Sequence, residues 1–388
     1  MSGASCLVSR VSPTLILSAI SYRLSAIGHK HMLYKLIKPL LFRLEPERAH
    51  ELITSMLRMA VRGKLPMALI EAMLAYNDPI LRVECAGLHF SNPIGLAAGF
   101  DKHGELIRPM ASLGFGHIEL GTVTPRPQPG NPRPRMFRLP EDMALINRMG
   151  FNSPGMLTVG HNLQHWYNQN PESTKRPVLG LNIGKNRDTA LEQAAQDYLA
   201  AFIALAPLAD YVAINISSPN TPGLRLLHER RALEELLETI CQANRALQTP
   251  RPLFLKISPD ESEQQITEVV EVGLNAGISG FIATNTTLAR EGLRSTHAQE
   301  SGGLSGRPLA QRSLMVLRQL QRLTEGRVPL ISVGGIAHAE DAYQRLQSGA
   351  SLVQIYTALI YGGPGLVQSI KRDLAVKLRV SGGGSFEF

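Results

Sequence analysis

The chain has 388 residues, enough for one large barrel or two ordinary domains, and its apolar content excludes bulk disorder. Three scattered cysteines, Cys6, Cys85 and Cys241, offer neither a disulfide framework nor a zinc pattern, which suits a reducing compartment. The net charge of +8 sits at one end: ten basic residues and three acids lie between Met1 and Lys64, so seven of the eight excess charges fall there.

Residues 1–31 contain no acid and are rich in Ser and apolar groups, which reads as a leader or as an upstream extension before a start at Met32. Arg10, Pro13 and Arg23 interrupt the apolar patches, so the ~20 clean residues of a membrane span are missing. Between 32 and 75, Leu33, Leu36, Ile37, Leu40, Leu41 and Leu44 recur at helical spacing. Leu52, Ile53, Met56, Leu57 and Ala60 do the same, with Pro46 placed for a first turn, so two or three amphipathic helices are expected. Interleaved with the basic residues, such stripes fit an anionic membrane surface, packing on a neighbouring domain, or both. Nucleic acid is disfavoured, because the aromatic platforms it needs are absent.

From Asp78 onward, short apolar runs alternate with helical patterns. Strands are expected at 94–100, 117–123, 178–184, 211–218, 253–258, 280–285, 330–336 and 352–358, with helices such as Ala232–Ile240 and Leu309–Leu323 between them. Eight such strands with helical crossovers predict an α/β fold, a (β/α)8 TIM barrel over 76–379 preceded by the helical segment 32–75. Residues 380–388, with Ser381-Gly-Gly-Gly-Ser, read as a flexible tail.

Catalytic groups of such barrels gather at the C-terminal strand ends. Those ends supply Asp101-Lys102, Thr122, Asn182, Asn215 with Ser218 and Asn220, Lys256, Thr284-Asn285-Thr286, Gly334-Gly335 and Tyr356-Thr357. Amides dominate this set, which suits a planar heterocycle that both donates and accepts hydrogen bonds. Backbone N–H groups after the last two strands form the usual phosphate cup, where a monophosphate such as FMN fits. Ser218 is a candidate proton acceptor, although Ser, Pro and Asn also make ordinary turns. No metal site is expected: His161 and His165 share a helix face but lack the following Glu of a zinc motif. Pro125–Pro140, with four arginines, reads as an ordered insertion at the active site or as a polyproline ligand.

Together, Leu96-Ala-Ala-Gly-Phe-Asp-Lys102, Glu119-Leu-Gly-Thr-Val-Thr-Pro-Arg-Pro-Gln-Pro-Gly130, Asn147-Arg-Met-Gly-Phe-Asn152, Asn182-Ile-Gly-Lys-Asn186, Asn215-Ile-Ser-Ser-Pro-Asn-Thr221 and Thr284-Asn-Thr-Thr287 resemble the dihydroorotate dehydrogenases. The resemblance runs over about 33–370 and includes Gly303-Leu-Ser-Gly-Arg-Pro308 and Gly334-Gly-Ile336 with Gln354-Ile-Tyr356. Ser218, where soluble class 1 members carry Cys, and the helical segment point to the membrane-associated, quinone-using class 2. Glu45 stands where many members begin that helix with Asp, and 1–31 has no counterpart in compact bacterial members.

The resemblance implies oxidation of (S)-dihydroorotate to orotate, the fourth step of UMP synthesis, with Ser218 as catalytic base. Lys102, Asn147, Arg148, Met149, Gly150, Phe151, Asn215, Asn220, Asn285 and Thr286 are expected to bind substrate. One FMN per chain is expected on Ala98, Gly99, Phe100, Asp101, Lys102, Thr122, Asn182, Asn215, Lys256, Thr284, Gly306, Gly335, Tyr356 and Thr357. Thr221 and Phe151 would screen a proton exit. A quinone would enter between the N-terminal helices of a monomer lying on the cytoplasmic face of a bacterial membrane, or on the mitochondrial inner membrane. Other FMN barrels, such as tRNA dihydrouridine synthases and dihydropyrimidine dehydrogenase, would be expected to place Cys where Ser218 stands. A non-catalytic membrane-surface module is the remaining reading, and flavin absorbance separates it from an enzyme.

Overall fold

The computed structural model describes residues 34–62, 64–170, 176–221 and 223–381, so the expected leader and most of the tail lie outside the described residues. The chain divides into two units, Met1–Leu44 and Glu45–Phe388. The described part of the first contains helix α1, residues 34–43, with Leu36, Ile37 and Leu40 exposed. The second holds helices α2 (Pro46–Arg62) and α3 (Lys64–Leu74) together with the barrel. Composition placed 32–75 in one segment, whereas the structure groups α2 and α3 with the barrel. The physical reason is that α2 buries Ala49 and Glu47, and Glu47 is held by Arg135 of the insertion at 2.7 Å. Glu45 does the capping work at the start of α2, its carboxylate accepting the N–H groups of Glu47 (3.1 Å) and Arg48 (2.9 Å).

Eight parallel strands close the barrel in chain order: β1 Ile94–Leu96, β2 His117–Val123, β3 Val178–Ile183, β4 Tyr211–Asn215, β5 Leu253–Ile257, β6 Gly280–Ala283, β7 Leu330–Val333 and β8 Leu352–Ile355. The period-2 alternation of a strand sorts their side chains. One parity (Ile118, Leu181, Val212, Leu255, Phe281, Val353) packs outward on the helices. The other faces the barrel interior, apolar at the lower end with Val178, Tyr211, Phe254, Ile282 and Leu352. Two to four residues further up, the same parity carries Asn182, Asn215, Lys256, Thr284 and Gln354. Each of these five strands thus changes from core to chemistry along one face.

A hairpin, Val83–Cys85 with Leu88–Phe90, turns at Ala86 and Gly87 (φ 51° and 74°) and contributes Val83, Cys85 and Phe90 to the interior cluster as a floor. A three-stranded antiparallel sheet, Met136–Leu139, Ala144–Asn147 and Gly303–Gly306, is built from the segments after β2 and β6. The proline- and arginine-rich segment is therefore ordered where it meets the site. Seven of the eight strands end before the expected runs do, and β1, β4, β7 and β8 end three or more residues early. After β1 the chain turns at Gly99 (φ 98°), after β4 it leaves the sheet at Ile216, and after β8 Thr357 already begins the helix Thr357–Gly362.

Candidate active site

Most of the polar strand ends converge on a cavity of about 540 Å3. Its walls include Ser218, Lys102, Asn147, Met149, Gly150, Phe151, Asn215, Asn220, Asn285 and Thr286, and also Ala98, Gly99, Thr122, Lys256, Thr284, Gly306, Gly335, Tyr356 and Thr357. Four candidates lie off its walls. Arg148 turns to Glu300 (2.7 Å) and covers the Phe137 ring. Phe100 is buried between His50 of α2 and Tyr356, with ring centroids 5.0 and 5.6 Å away. The Asp101 carboxylate accepts the N–H groups of His103, Gly104, Glu105 and Leu106, so it shapes the loop that presents Lys102. Asn182 stands one layer behind, holding Thr122 and Asn215. A wider groove of about 1300 Å3 near the helix Ala310–Thr324 takes none of the candidates.

The interior of the barrel holds a charge. Glu119 of β2 is fully buried and lies 3.1 Å from the Lys256 ammonium. It also accepts from Asn182 (2.9 Å), Gln354 (2.8 Å) and Tyr211 (3.2 Å). Burial by itself pushes its carboxyl up, but Lys256 and the hydrogen bonds outweigh burial and hold it below the ordinary range. The pair is neutral as a unit, which is how a barrel interior tolerates both charges.

Above it runs a chain of amides. Asn215 donates to Thr122 and Asn182 at 3.0 Å each, and Asn285 donates to Asn215 (3.2 Å) and Ser217 (3.1 Å). Asn220 donates to Asn147 at 3.3 Å, tying the loop after β4 to the small sheet. These contacts fix which amide edges remain for a ligand. Buried Ser218 accepts the Asn220 N–H at 3.3 Å, and the Thr221 hydroxyl nearby is buried with no partner among the described residues. Lys102 donates to Asn152 at 2.6 Å. Its ammonium is pushed down to about 7, first by burial and then by the Arg135 guanidinium, with Glu47 opposing.

At the other end, Gly306 (φ 96°) and Gly335 (φ 73°) bring backbone to the cavity wall. A Cβ on Gly335 would lie 2.4 Å from the Cα of Ala310, so only glycine lets this loop meet the following helix. The Gly335 N–H has no acceptor among the described residues. Thr357 starts its helix beside them, its hydroxyl 2.8 Å from that of Ser305. This end has the donors of an anion cup.

Sequence reasoning placed Glu119, Gln354 and Asn152 in the family motifs but gave none of them a role. Glu119 did carry a signal, as the lone carboxylate inside the apolar strand His117–Val123.

A family model for dihydroorotate dehydrogenase matches residues 80–378. The dihydroorotate dehydrogenase (quinone) of Roseiflexus sp. strain RS-1 is 59% identical, covering 92% of this chain and 97% of its own length. That of Rhodospirillum rubrum is 49% identical over 90% of this chain and 91% of its own. Among solved structures, the crystal structure of an Eimeria tenella DHODH in complex with ferulenol superposes with a TM-score of 0.82 at 36% identity, covering 89% of this chain and 96% of that one.

Proposed function

Because the chain belongs to the dihydroorotate dehydrogenase family and oxidises dihydroorotate to orotate with a quinone as electron acceptor, we propose that the cavity described above holds one FMN and the substrate side by side. The observation that carries this reading is their shared wall: Ser218, Lys102 and the amides stand at one end and the glycine cup at the other. A volume of about 540 Å3 falls within the ordinary range of small-molecule sites. The residues present also fit the group chemically. Gly306, Gly335 and Thr357 suit a phosphate, Ala98, Gly99, Thr122 and Thr284 a flat ring, and Lys256 the ring edge where charge builds on reduction.

When bound, the flavin supplies a hydride acceptor for C6 of the substrate. The rest of the chemistry belongs to the chain. Ser218 takes the C5 proton while its own hydroxyl proton passes toward Thr221, with Phe151 screening that exit from water. Lys102 neutralises the substrate carboxylate. Asn147, Asn215, Asn220, Asn285 and Thr286 hold the pyrimidine's donors and acceptors in one register. Asn182 and Asp101 act at one remove, by orienting Asn215 and the Lys102 loop.

The segment 32–75 is assigned to membrane contact and quinone entry along α2. Two observations support this. Leu52, Met56, Met59, Leu69 and Met73 of α2 and α3 are exposed, and the His50–Phe100–Tyr356 ring contacts run from α2 to the cavity wall. No helix among the described residues is long and apolar enough to cross a membrane. We assign peripheral attachment of a monomer to the cytoplasmic face of a bacterial membrane through the exposed apolar residues of α2 and α3, since Arg58 is engaged by Glu105 at 2.6 Å.

Anaerobic addition of dihydroorotate to the purified protein tests the reading. Flavin absorbance should bleach and return on adding a quinone, but not on adding fumarate or NAD. Absence of flavin, or no bleaching by dihydroorotate, overturns it.

A further inference from the structure

Arg345, on the helix Ala339–Gln347, is the bulkiest fully buried side chain among the described residues, only 2% exposed. No carboxylate among the described residues pairs with it. Asp341, one turn earlier, instead accepts the Ala337 and His338 N–H groups at 2.8 Å each. The guanidinium donates to backbone: to Ala310 O at 2.6 Å, to Gly334 O at 3.0 Å, and to the Ser332 hydroxyl at 3.4 Å. The Ser313 hydroxyl donates to the same Gly334 carbonyl at 2.9 Å. Burial pushes the guanidinium down to about 10, which leaves it charged at neutral pH. Asp341 attracts it without an ion-pair contact, Arg318 repels it, and the carbonyl dipoles that hold it directly offset only part of the cost of burying the charge.

The carbonyl it grips lies on the wall of the cavity. In a trans peptide the C=O and the following N–H point in opposite directions. Drawing the Gly334 carbonyl back toward Arg345 therefore aims the Gly335 N–H forward into the cup, where it has no acceptor within the described chain. Ala310, the other carbonyl held, begins the helix that closes against Gly335.

We propose that Arg345 is a positioning residue for the cofactor's phosphate: it aims the Gly335 N–H and sets a positive charge, held directly by backbone carbonyls, behind the cup, so that the phosphorylated flavin is retained over the unphosphorylated one. The inference rests on the FMN reading of the cavity. It adds a charged group that is not itself among the residues lining the cavity, although Asp341 of the same helix is.

The test uses the FMN-loaded protein and a second preparation exchanged with riboflavin. Flavin release after dilution is followed by the recovery of free flavin fluorescence for wild type, Arg345→Gln, Arg345→Lys and Ser313→Ala. Losing a charge-assisted interaction should speed FMN release in Arg345→Gln about tenfold or more. Riboflavin release should stay unchanged. Arg345→Lys keeps the charge without the fork and should fall between. Should Arg345→Gln fail to fold, Ser313→Ala loosens the same carbonyl without removing charge, and FMN release should rise a few-fold, again without effect on riboflavin. Equal acceleration of both flavins would mark a merely structural role and overturn the proposal. Unchanged FMN release in the folded variants would overturn it as well. Protein purified without any flavin refutes the cofactor reading itself, a separate outcome.

Discussion

Lys102 provides the sharpest test of the electrostatics. Burial and the Arg135 guanidinium push its ammonium down to about 7, so near neutral pH the free site holds a mixture of charged and uncharged lysine. A ligand carboxylate binds the charged form, so binding takes up a proton, and affinity rises as pH falls through that value. Orotate affinity should be level below about pH 6 and drop roughly tenfold per unit above about pH 8, until the ligand-bound lysine itself titrates. Lys102→Met should remove this slope and, at pH 6, weaken binding by roughly 1.5–3 kcal/mol, or about ten- to a hundredfold. Glu47→Gln removes the one charge that opposes the shift, so the break in the profile should move to lower pH. Orotate dissociation constants from flavin spectral perturbation between pH 5.5 and 9.5, at fixed ionic strength, decide the matter. A wild-type profile that stays flat from pH 6 to 9, or a slope that persists in Lys102→Met, refutes the assignment.

Three further outcomes are expected. Ser218→Ala should slow the reduction of bound flavin by dihydroorotate by orders of magnitude in stopped-flow while leaving flavin content unchanged, and Ser218→Cys should keep partial activity with a shifted pH profile. Glu119→Gln leaves the Lys256 charge without its partner, so the flavin midpoint potential should rise and the thermal midpoint fall; an unmoved potential would mean that Lys256 does not sense the ring. Met59→Glu combined with Leu69→Glu should weaken vesicle binding and slow turnover with long-chain quinones while sparing a short water-soluble quinone, and equal loss with both acceptors would count against α2 and α3 as the entry.

The eight strands were legible because each is a short apolar run between turn residues, and the polar strand ends were legible because a barrel collects them on one face. Strand lengths were not. Apolar residues continue past β1 and β8, and what ends those strands is backbone geometry at Gly99 and the helix beginning at Thr357. Phe100 and Asp101 sat inside the right motif, yet one fills space between rings and the other gathers four N–H groups. Neighbouring residues in a loop face different ways, and a motif does not record which. Arg345 was silent for a related reason: a charged residue on a helix normally faces solvent, and only packing shows that this one points at the sheet.

The Glu47–Arg135 pair was the least legible contact and has the widest consequence. Its partners stand 88 residues apart, one on a helix that sequence assigned to the membrane and one in a proline-rich insertion. Arg135 holds Glu47 through two of its nitrogens and also grips the carbonyls of Pro129 (2.6 Å) and Asn131 (2.8 Å), which orders the insertion. The same two charges act on Lys102 with opposite signs. Any perturbation that draws α2 away from the barrel therefore removes the charge that favours the protonated lysine and leaves the one that opposes it. The electrostatic state of the lysine proposed to anchor substrate thus depends on a helix with exposed Leu52, Met56 and Met59. Removing residues 1–75 would therefore alter orotate binding as well as quinone access, which is why point substitutions on the exposed faces of α2 and α3, and not deletion, separate the two effects.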